Sequence, residues 1–257
     1  MILDEIVAHK KEEVASRKSR LSPRDLAAAV EDVAPAPDFA AALAAPGLSV
    51  IAEIKGASPS AGPIRETFDP VAIAGAYAAG GAVALSVLTD ARYFHGSWDA
   101  LAQVCRASTL PVLCKEFVID PYQIDEARRS GAAAVLLIAA VLDGAQLRNF
   151  LGSARERGLS ALVEVHTPDE TAVAVDAGAD IIGINNRDLQ TLRVDVQTTA
   201  HLRPMIPPGV LVVSESGFAR RSDVQQVEQV GVDAVLIGTA LMASSDPAAT
   251  LRELRGA

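Results

Sequence analysis

The stretch Ser49-Val-Ile-Ala-Glu-Ile-Lys55, followed by Gly-Ala-Ser58-Pro59-Ser60-Ala-Gly62-Pro63, indicates how the chain folds. It begins with apolar, partly β-branched residues that are typical of a buried strand. It ends with Glu53 and Lys55, whose i, i+2 spacing places both side chains on one face. The Ser, Pro and Gly residues that follow predict a loop. Taken alone, the segment fits two interpretations equally well: an exposed edge strand, or a buried strand that leads into an active site.

The rest of the chain repeats this unit. Apolar runs that predict strands occur at 49–54, 83–88, 111–114, 133–138, 160–163, 180–184, 210–213 and 233–237. The segments between them have helical period, and several begin with an N-cap residue followed by proline, as in Asp69-Pro70 and Asp120-Pro121. Eight strands alternating with helices indicate a parallel sheet. Eight units with no strand to spare favour a closed barrel over an open sheet. No glycine-rich dinucleotide-binding motif follows the first strand, which further weakens the open-sheet interpretation.

Composition agrees with this architecture. The 257 residues suit one (β/α)8 barrel, and half are hydrophobic but only 4% aromatic, which favours a core of Ala, Val, Leu and Ile. The net charge of −9 argues against a nucleic-acid partner or an anionic membrane surface. The net charge does not exclude a small anionic substrate, since a few Lys and Arg residues can reverse the electrostatic potential of one pocket.

The cysteines and the apolar runs indicate the cellular compartment of the protein. Cys105 and Cys114 lack metal-ligand spacing, which favours reduced thiols in a cytosolic protein. No secretory signal is visible, and the longest apolar run, at 132–142, is too short to span a bilayer. We therefore predict a cytoplasmic protein that does not contact membranes.

Residues 1–47 precede the first strand and have helical character throughout. Residues 2–18 have a helical period, Ser22-Pro23 predicts the start of a second helix, and 39–43 predicts a third. This segment is too short to bury a core of its own. The prediction is one domain over residues 1–257, a single (β/α)8 TIM barrel with an N-terminal helical extension.

Charged and polar residues collect at the carboxyl ends of the predicted strands. They are Glu53, Lys55, Lys115, Glu164, Asn185 and Glu215. Strands of a parallel sheet are buried on both faces, so charges within them need partners. In a barrel these strand ends meet at one rim, where active sites of this fold lie. We therefore expect one site there, whereas a merely solvated surface would scatter the charges.

The last two strand ends fit a phosphate site. Ser216-Gly217 follows the seventh strand and Gly238-Thr239 follows the eighth. Both turns offer backbone N–H groups without bulky side chains, near a helix N-terminus. Either turn alone fits an ordinary tight turn, but together, at these two positions, they predict phosphate binding.

Acid–base chemistry is the chemistry that enclosed lysines and carboxylates can perform. A Schiff base on Lys55 or Lys115 stays open. No set of His, Cys and Asp has metal-ligand spacing, so we expect no metal. For the four histidines, His9, His95, His166 and His201, surface or capping positions are favoured.

The sequence resembles the indole-3-glycerol phosphate synthase family of tryptophan biosynthesis. The resemblance runs from the first helix to Leu251-Arg-Glu-Leu254. The segments that carry it are Ile51-Ala-Glu-Ile-Lys55 with Ser58-Pro59-Ser60, Leu88-Thr-Asp90 with Tyr93-Phe94 and Gly96-Ser97, Lys115-Glu-Phe117, Glu164-Val-His166, Gly183-Ile-Asn-Asn-Arg187-Asp-Leu189, Ser214-Glu-Ser-Gly217 and Leu236-Ile-Gly238.

The resemblance implies conversion of 1-(2-carboxyphenylamino)-1-deoxyribulose 5-phosphate to indole-3-glycerol phosphate, with release of CO2 and water and without a cofactor. It implies that Lys115 is the general acid and Glu164 the general base, or the group that stabilises the developing cation. Lys55 would hold the substrate carboxylate and could share the acid role. Glu53 and Asn185 would position these groups.

The resemblance also implies residues for substrate binding. Ser58, Ser216, Gly217, Gly238 and Thr239 would hold the phosphate, Arg187 and Glu215 would shape the pocket, and Pro59, Phe94 and Phe117 would pack the anthranilate ring. The partner implied is this phosphorylated small molecule. A monomer is expected, and association with other tryptophan-pathway enzymes stays open.

Three positions depart from the family pattern: Gly56 stands where an Arg or Lys is usual, Ala61 where many members have a lysine, and Thr239 where Glu or Ser is frequent. Phosphoribosylanthranilate isomerase, a related barrel, is disfavoured because no strand here ends with its Cys and Asp pair. Gly56 motivates a second alternative, a non-catalytic or repurposed homologue that binds a phosphorylated ligand.

Overall fold

The eight apolar runs form a closed parallel barrel in the computed structural model, which describes residues 2–58, 62–63, 68–188, 191 and 193–256. The strands are β1 (Ser49–Ile54), β2 (Ala84–Leu88), β3 (Val112–Lys115), β4 (Ala134–Ile138), β5 (Ser160–Val165), β6 (Ile181–Asn185), β7 (Leu211–Glu215) and β8 (Ala234–Ile237). Each strand pairs with its neighbour in sequence, and β8 pairs with β1 through the register Ser49↔Ala234. The prediction of a (β/α)8 TIM barrel is confirmed.

Helices surround the barrel. They are α1 (Ile2–Arg20), α2 (Pro23–Glu31), α3 (Phe39–Leu43), α4 (Pro70–Ala79), α5 (Ala91–Phe94), α6 (Trp98–Ala107), α7 (Pro121–Arg129), α8 (Gly144–Glu156), α9 (Pro168–Asp176), α10 (Gln197–Leu202), α11 (Arg221–Gln229), α12 (Thr239–Ala243) and α13 (Pro247–Arg255), with a 3-10 turn at Arg203–Met205. A short antiparallel ribbon after β1 pairs Ala57–Ser58 with Gly62–Pro63. Within the described residues, no helix is long and apolar enough to cross a membrane.

The predicted N-caps start their helices as expected. The Asp69 carboxylate accepts hydrogen bonds from the backbone N–H groups of Val71 and Ala72, both at 3.0 Å, and Pro70 occupies the first turn. Asp120, Thr167 and Asp246 cap α7, α9 and α13 in the same way. Each cap uses a side-chain oxygen to satisfy an N–H that lacks a helical partner.

The N-terminal extension is present, and its helices lie at both ends of the barrel. Phe39 and Leu43 of α3 are buried with Ile51 and Leu113 inside the barrel. The Ser49 hydroxyl donates to the Leu43 carbonyl at 3.2 Å, so α3 closes the end where the strands begin. At the opposite end, α1 lies across the loops that follow the strands, which places it beside the site described next.

Candidate active site

A cavity of about 600 Å³ opens at the carboxyl ends of the strands. Thirteen of the residues predicted for the site line it: Glu53, Lys55, Phe94, Lys115, Phe117, Glu164, Asn185, Arg187, Glu215, Ser216, Gly217, Gly238 and Thr239. The Ser58 side chain, Pro59 and Ala61 lie outside the described residues. Strand ends that are far apart in sequence thus meet around one space, as the barrel topology requires.

Lys115 is the centre of the polar cluster. Its Nζ lies 2.8 Å from Glu164 Oε2 and 2.7 Å from Glu215 Oε2. These side chains come from β3, β5 and β7, and alternate strands of a barrel contribute side chains to the same internal layer. The two carboxylates are nearly inaccessible to solvent, and 12% of the lysine side chain is exposed. One cation is therefore shared by two buried carboxyl groups.

The charged groups of this cluster shift one another's pKa values. Burial opposes the ammonium form of Lys115, but the fields of Glu164, Glu215 and Glu53 raise its pKa above the usual range. Burial opposes ionisation of Glu164 too, yet Lys115 and His166 lower the pKa of Glu164 below its ordinary value. Glu215 is different, because burial together with the Glu164 charge raises its pKa despite Lys115. At neutral pH the cluster holds a protonated lysine and an ionised Glu164.

A second ion pair forms the neighbouring wall. Lys55 Nζ lies 2.7 Å from Glu53 Oε1, and 12% and 8% of the two side chains are exposed. This geometry excludes the exposed edge strand that the first segment alone allowed. A Cβ atom at Gly238 would overlap Glu53 Oε1 and lie 2.9 Å from Lys55 Nζ. Glycine at this position leaves room for the ion pair.

Gly183 makes room for Glu215 in the same manner. It lies within β6 and pairs with Glu164 of β5. A Cβ atom at Gly183 would overlap Glu215 Oε1 and approach Leu162 Cδ1 to 3.2 Å. A glycine inside a strand often marks such a close approach, and this signal is visible in the sequence.

The turn after β7 has an unusual backbone and a dedicated support. Ser216 and Gly217 have φ angles of +68° and +94°, and positive φ at a non-glycine residue such as Ser216 is uncommon and often marks a functional site. The buried Asn186 side chain donates to the Ser216 carbonyl at 3.0 Å and to Ser214 Oγ at 3.1 Å. Asn186 in turn accepts a 2.8 Å hydrogen bond from the Thr199 hydroxyl. This supporting role of Asn186 was not predicted from the sequence.

An apolar wall faces these charges. The rings of Phe94 and Phe117 have centroids 5.9 Å apart and are tilted by 37°. Ile2, Leu3 and Ile6 of α1 complete the wall. The cavity therefore offers an apolar surface on one side and paired charges on the other, and the participation of α1 was not predicted.

Lys10 attaches α1 beside the cavity, a role that was not predicted from the sequence. Only 1% of its side chain is exposed, and its Nζ lies 2.9 Å from Asp90 Oδ2 and 3.0 Å from Glu116 Oε1. Glu116 also accepts hydrogen bonds from the Thr89 hydroxyl and the Phe117 N–H, both at 2.8 Å. The available signal was a lysine on the apolar stripe of α1, between Ile6 and Val14.

The histidines only partly follow the expectation of surface or capping positions. His95 and His201 are exposed, and His9 is half-buried on α1. His166 lies beside Glu164 with 11% of its side chain exposed, so an exposed position was wrong for this residue. Within the described ranges, no group of three or more His, Cys, Asp and Glu residues could hold a metal ion, and Cys105 and Cys114 are free thiols.

Comparison with known proteins gives a consistent family. The family model described as indole-3-glycerol phosphate synthase matches residues 3–254. Proteins named indole-3-glycerol phosphate synthase from Dehalococcoides mccartyi (strain CBDB1) and Acidithiobacillus ferrooxidans (strain ATCC 53993 / BNL-5-31) are each 48% identical to the chain. The first alignment covers 99% of this chain and 100% of the relative, and the second covers 98% of both.

Similar solved structures share the barrel at low sequence identity. The 3-hexulose-6-phosphate synthase from Salmonella typhimurium has a TM-score of 0.67 at 15% identity, over 81% of this chain and 97% of that one. A thiamine phosphate pyrophosphorylase from Pyrococcus furiosus has a TM-score of 0.61 at 18% identity, over 81% and 94%. At such identities the likeness concerns the fold alone.

Proposed function

Because the chain belongs to the indole-3-glycerol phosphate synthase family and is a carboxy-lyase of tryptophan biosynthesis, we propose that Lys115 and Glu164 carry its acid–base chemistry. The reaction closes a ring between an aromatic carbon and the sugar ketone, and then loses CO2 and water. A carboxylate anion leaves as neutral CO2, so each turnover takes up one proton. The chemistry therefore needs a cationic acid beside an ionised base in a closed site.

The observation that carries the proposal is the position of Lys115 between two buried carboxylates. Its Nζ contacts Glu164 at 2.8 Å and Glu215 at 2.7 Å. Lys115 protonates the ketone oxygen as the ring closes, and an acid is needed again when hydroxide leaves as water. Glu164 accepts the proton released when the indole forms, or stabilises the cation that precedes it. Asn185 contributes to the low pKa of Glu164, which fits a positioning role.

Substrate binding is assigned by the chemistry of each wall. Lys55, held by Glu53, pairs with the anthranilate carboxylate and stays an alternative donor for one of the two acid steps. The anthranilate ring packs against Phe94 and Phe117, with Pro59 as a further contact expected from sequence. These assignments place the leaving carboxylate near Lys55 and the ketone near Lys115.

The phosphate end lies at the last two strand ends. The backbone N–H groups of Gly217 and Gly238 provide donors where no side chain blocks approach. Ser216 and Thr239 add hydroxyl groups, and Arg187 lines the same cavity. The Ser58 hydroxyl is a further donor expected from sequence. Asn186 supports this end by holding the Ser216 turn.

We also propose that residues 1–257 act as one domain, as a monomer, in the cytoplasm. Every residue assigned to the acid–base chemistry belongs to the same chain, so the proposed mechanism needs no residue from a second copy, and two free cysteines agree with a reducing compartment. Association with other tryptophan-pathway enzymes is the alternative to an enzyme that works alone.

The test is turnover by the purified protein. With 1-(2-carboxyphenylamino)-1-deoxyribulose 5-phosphate as substrate, we expect indole fluorescence to increase with time and one CO2 to be released per indole formed. Binding of this compound without turnover would refute the proposal and favour the non-catalytic homologue.

A further inference from the structure

His166 occupies a position that the mechanism above does not use. It follows Glu164 by two residues at the end of β5, so both side chains point to the same side. Its Nδ1 lies 3.3 Å from Glu170 Oε2, within hydrogen-bond distance. Its buried Nε2 lies 3.5 Å from Glu164 Oε1, which is an ion-pair distance, and makes no hydrogen bond among the described residues. Glu170, in the first turn of α9, also accepts a 2.7 Å hydrogen bond from the His166 backbone N–H. The imidazole is thus placed between one buried carboxylate and one that is more exposed.

The two nitrogens dictate which form of the ring fits this place. Only the imidazolium has a proton on both nitrogens, so only this form directs an N–H group toward each carboxylate. A neutral ring would direct a lone pair at one of them. Burial disfavours the imidazolium, but Glu170, Glu164 and Glu215 together raise the pKa of His166 above its ordinary value. Lys115, on the far side of Glu164, is the opposing cation of the cluster.

The two carboxylates that share Lys115 differ in their second oxygen. Glu164 Oε2 contacts Lys115 while its Oε1 faces His166. Glu215 Oε2 also contacts Lys115, but among the described residues its buried Oε1 has no hydrogen-bond partner. The carboxylate with cations on both oxygens is the one with the lowered pKa.

We propose that His166 is a positioning residue for the base: as an imidazolium held by Glu170, it attracts one oxygen of Glu164 while Lys115 hydrogen-bonds the other. This inference rests on the proposed role of Glu164 in catalysis. With a cation at each oxygen, rotation of the carboxylate plane would lengthen one of the two ion pairs, so the base favours one orientation toward the substrate. His166 itself does not touch the reacting atoms.

Replacing His166 tests the proposal through kcat and pH. His166→Gln fills similar space without a charge, and we expect kcat to fall about 10- to 100-fold, as for a misplaced catalytic group. KM should stay unchanged because His166 binds no substrate. The acidic limb of the kcat–pH profile should move to higher pH, because Glu164 loses a cation that lowers its pKa. His201→Gln, on the exposed face of α10, is the matched control and should behave as wild type.

A second variant keeps the histidine and removes its brace. Glu170→Gln should lower the pKa of His166, and the imidazolium persists only below that pKa. At acidic pH the kcat of this variant should equal that of wild type. On the alkaline side of the profile, its kcat should begin to fall at a lower pH than that of wild type. A raised KM with unchanged kcat, or an unshifted pH profile in folded His166→Gln, would overturn the proposal.

An NMR titration of the imidazole is independent of turnover and separates this inference from the proposed function. In wild type the pKa of His166 should lie above the ordinary value of a histidine, and Glu164→Gln should lower it. The same pKa in both proteins would refute the pairing with Glu164. Absence of turnover in wild type would instead refute the proposed function.

Discussion

Lys10→Met gives the sharpest test of how the N-terminal helix is attached. The substitution keeps most of the apolar stem and removes the ammonium that lies between Asp90 and Glu116, both with fully buried side chains. Two carboxylates would then remain buried without their cation. Breaking a buried ion pair from one side costs about 3–5 kcal/mol, because the remaining charge is uncompensated. For a chain of this size, each kcal/mol lowers Tm by about 2–4 °C, so we expect a loss of about 6–20 °C.

The loss should depend on pH in a defined direction. Burial raises the pKa of Glu116, and Lys10 opposes this shift. Without Lys10 the pKa rises further above its unfolded value, so the folded state takes up a proton more readily than the unfolded state. The stability deficit of the variant should therefore be largest at pH 8 and shrink as pH falls toward 5.5.

Thermal unfolding followed by circular dichroism, with substrate kinetics beside it, measures both consequences. KM should rise more than kcat falls, since Ile2, Leu3 and Ile6 line the cavity only while α1 is docked. Lys11→Met, at the adjacent exposed position of α1, is the control and should change Tm little. A Lys10→Met protein that loses less than about 1 kcal/mol, or whose deficit grows on acidification, would refute the reasoning.

Three further substitutions test the walls of the site. Gly183→Ala places a methyl group where Glu215 Oε1 lies, so kcat should fall about 10-fold or more in a folded protein; normal kcat would show that Glu215 can move freely. Lys55→Met should raise KM more than it lowers kcat, and the reverse split in steady-state kinetics would assign Lys55 the acid role. Gly56→Arg should lower KM if the missing charge matters, although a Cβ there lies 3.0 Å from the His95 carbonyl oxygen, so that loop must yield slightly. An unchanged KM in the same assay would show that this departure is neutral.

The barrel could be predicted because its signals are local. A parallel strand is buried on both faces and is recorded in the sequence as a continuous apolar run. Predicted runs such as 83–88 and 133–138 begin one residue before β2 and β4. Asp69-Pro70 and Asp120-Pro121 mark helix starts because capping involves only the next few residues.

The partners within the site could be predicted only as a group. Charges at the strand ends place Lys115, Glu164 and Glu215 on one rim, but which oxygen contacts the lysine depends on side-chain rotation and on the register between strands. The pKa values of Glu164 and Glu215 differ in part because His166, which Glu170 of α9 contacts, lies beside Glu164. Such contacts join residues of different elements, so no periodic pattern in the sequence predicts them.

The position of the N-terminal extension could not be predicted either, because its contacts join residues that are far apart in sequence. Its helical period was visible, but its place across the cavity depends on contacts of Lys10 with Asp90 and Glu116, which lie far away in the sequence. A lysine on an apolar helix stripe indicates a buried partner without identifying it.

Lys115 and Glu164 perform the acid–base chemistry of ring closure in the proposed mechanism, and single-turnover kinetics of Lys115→Ala and Glu164→Gln test these roles most directly. Indole formation is measured with enzyme in excess over substrate, so that binding and chemistry are separated, and circular dichroism verifies the fold. We predict that each variant still binds the substrate and forms indole at least about 10²-fold more slowly, as expected for loss of a general acid or base. A folded Lys115→Ala or Glu164→Gln protein that forms indole at the wild-type rate would contradict the account.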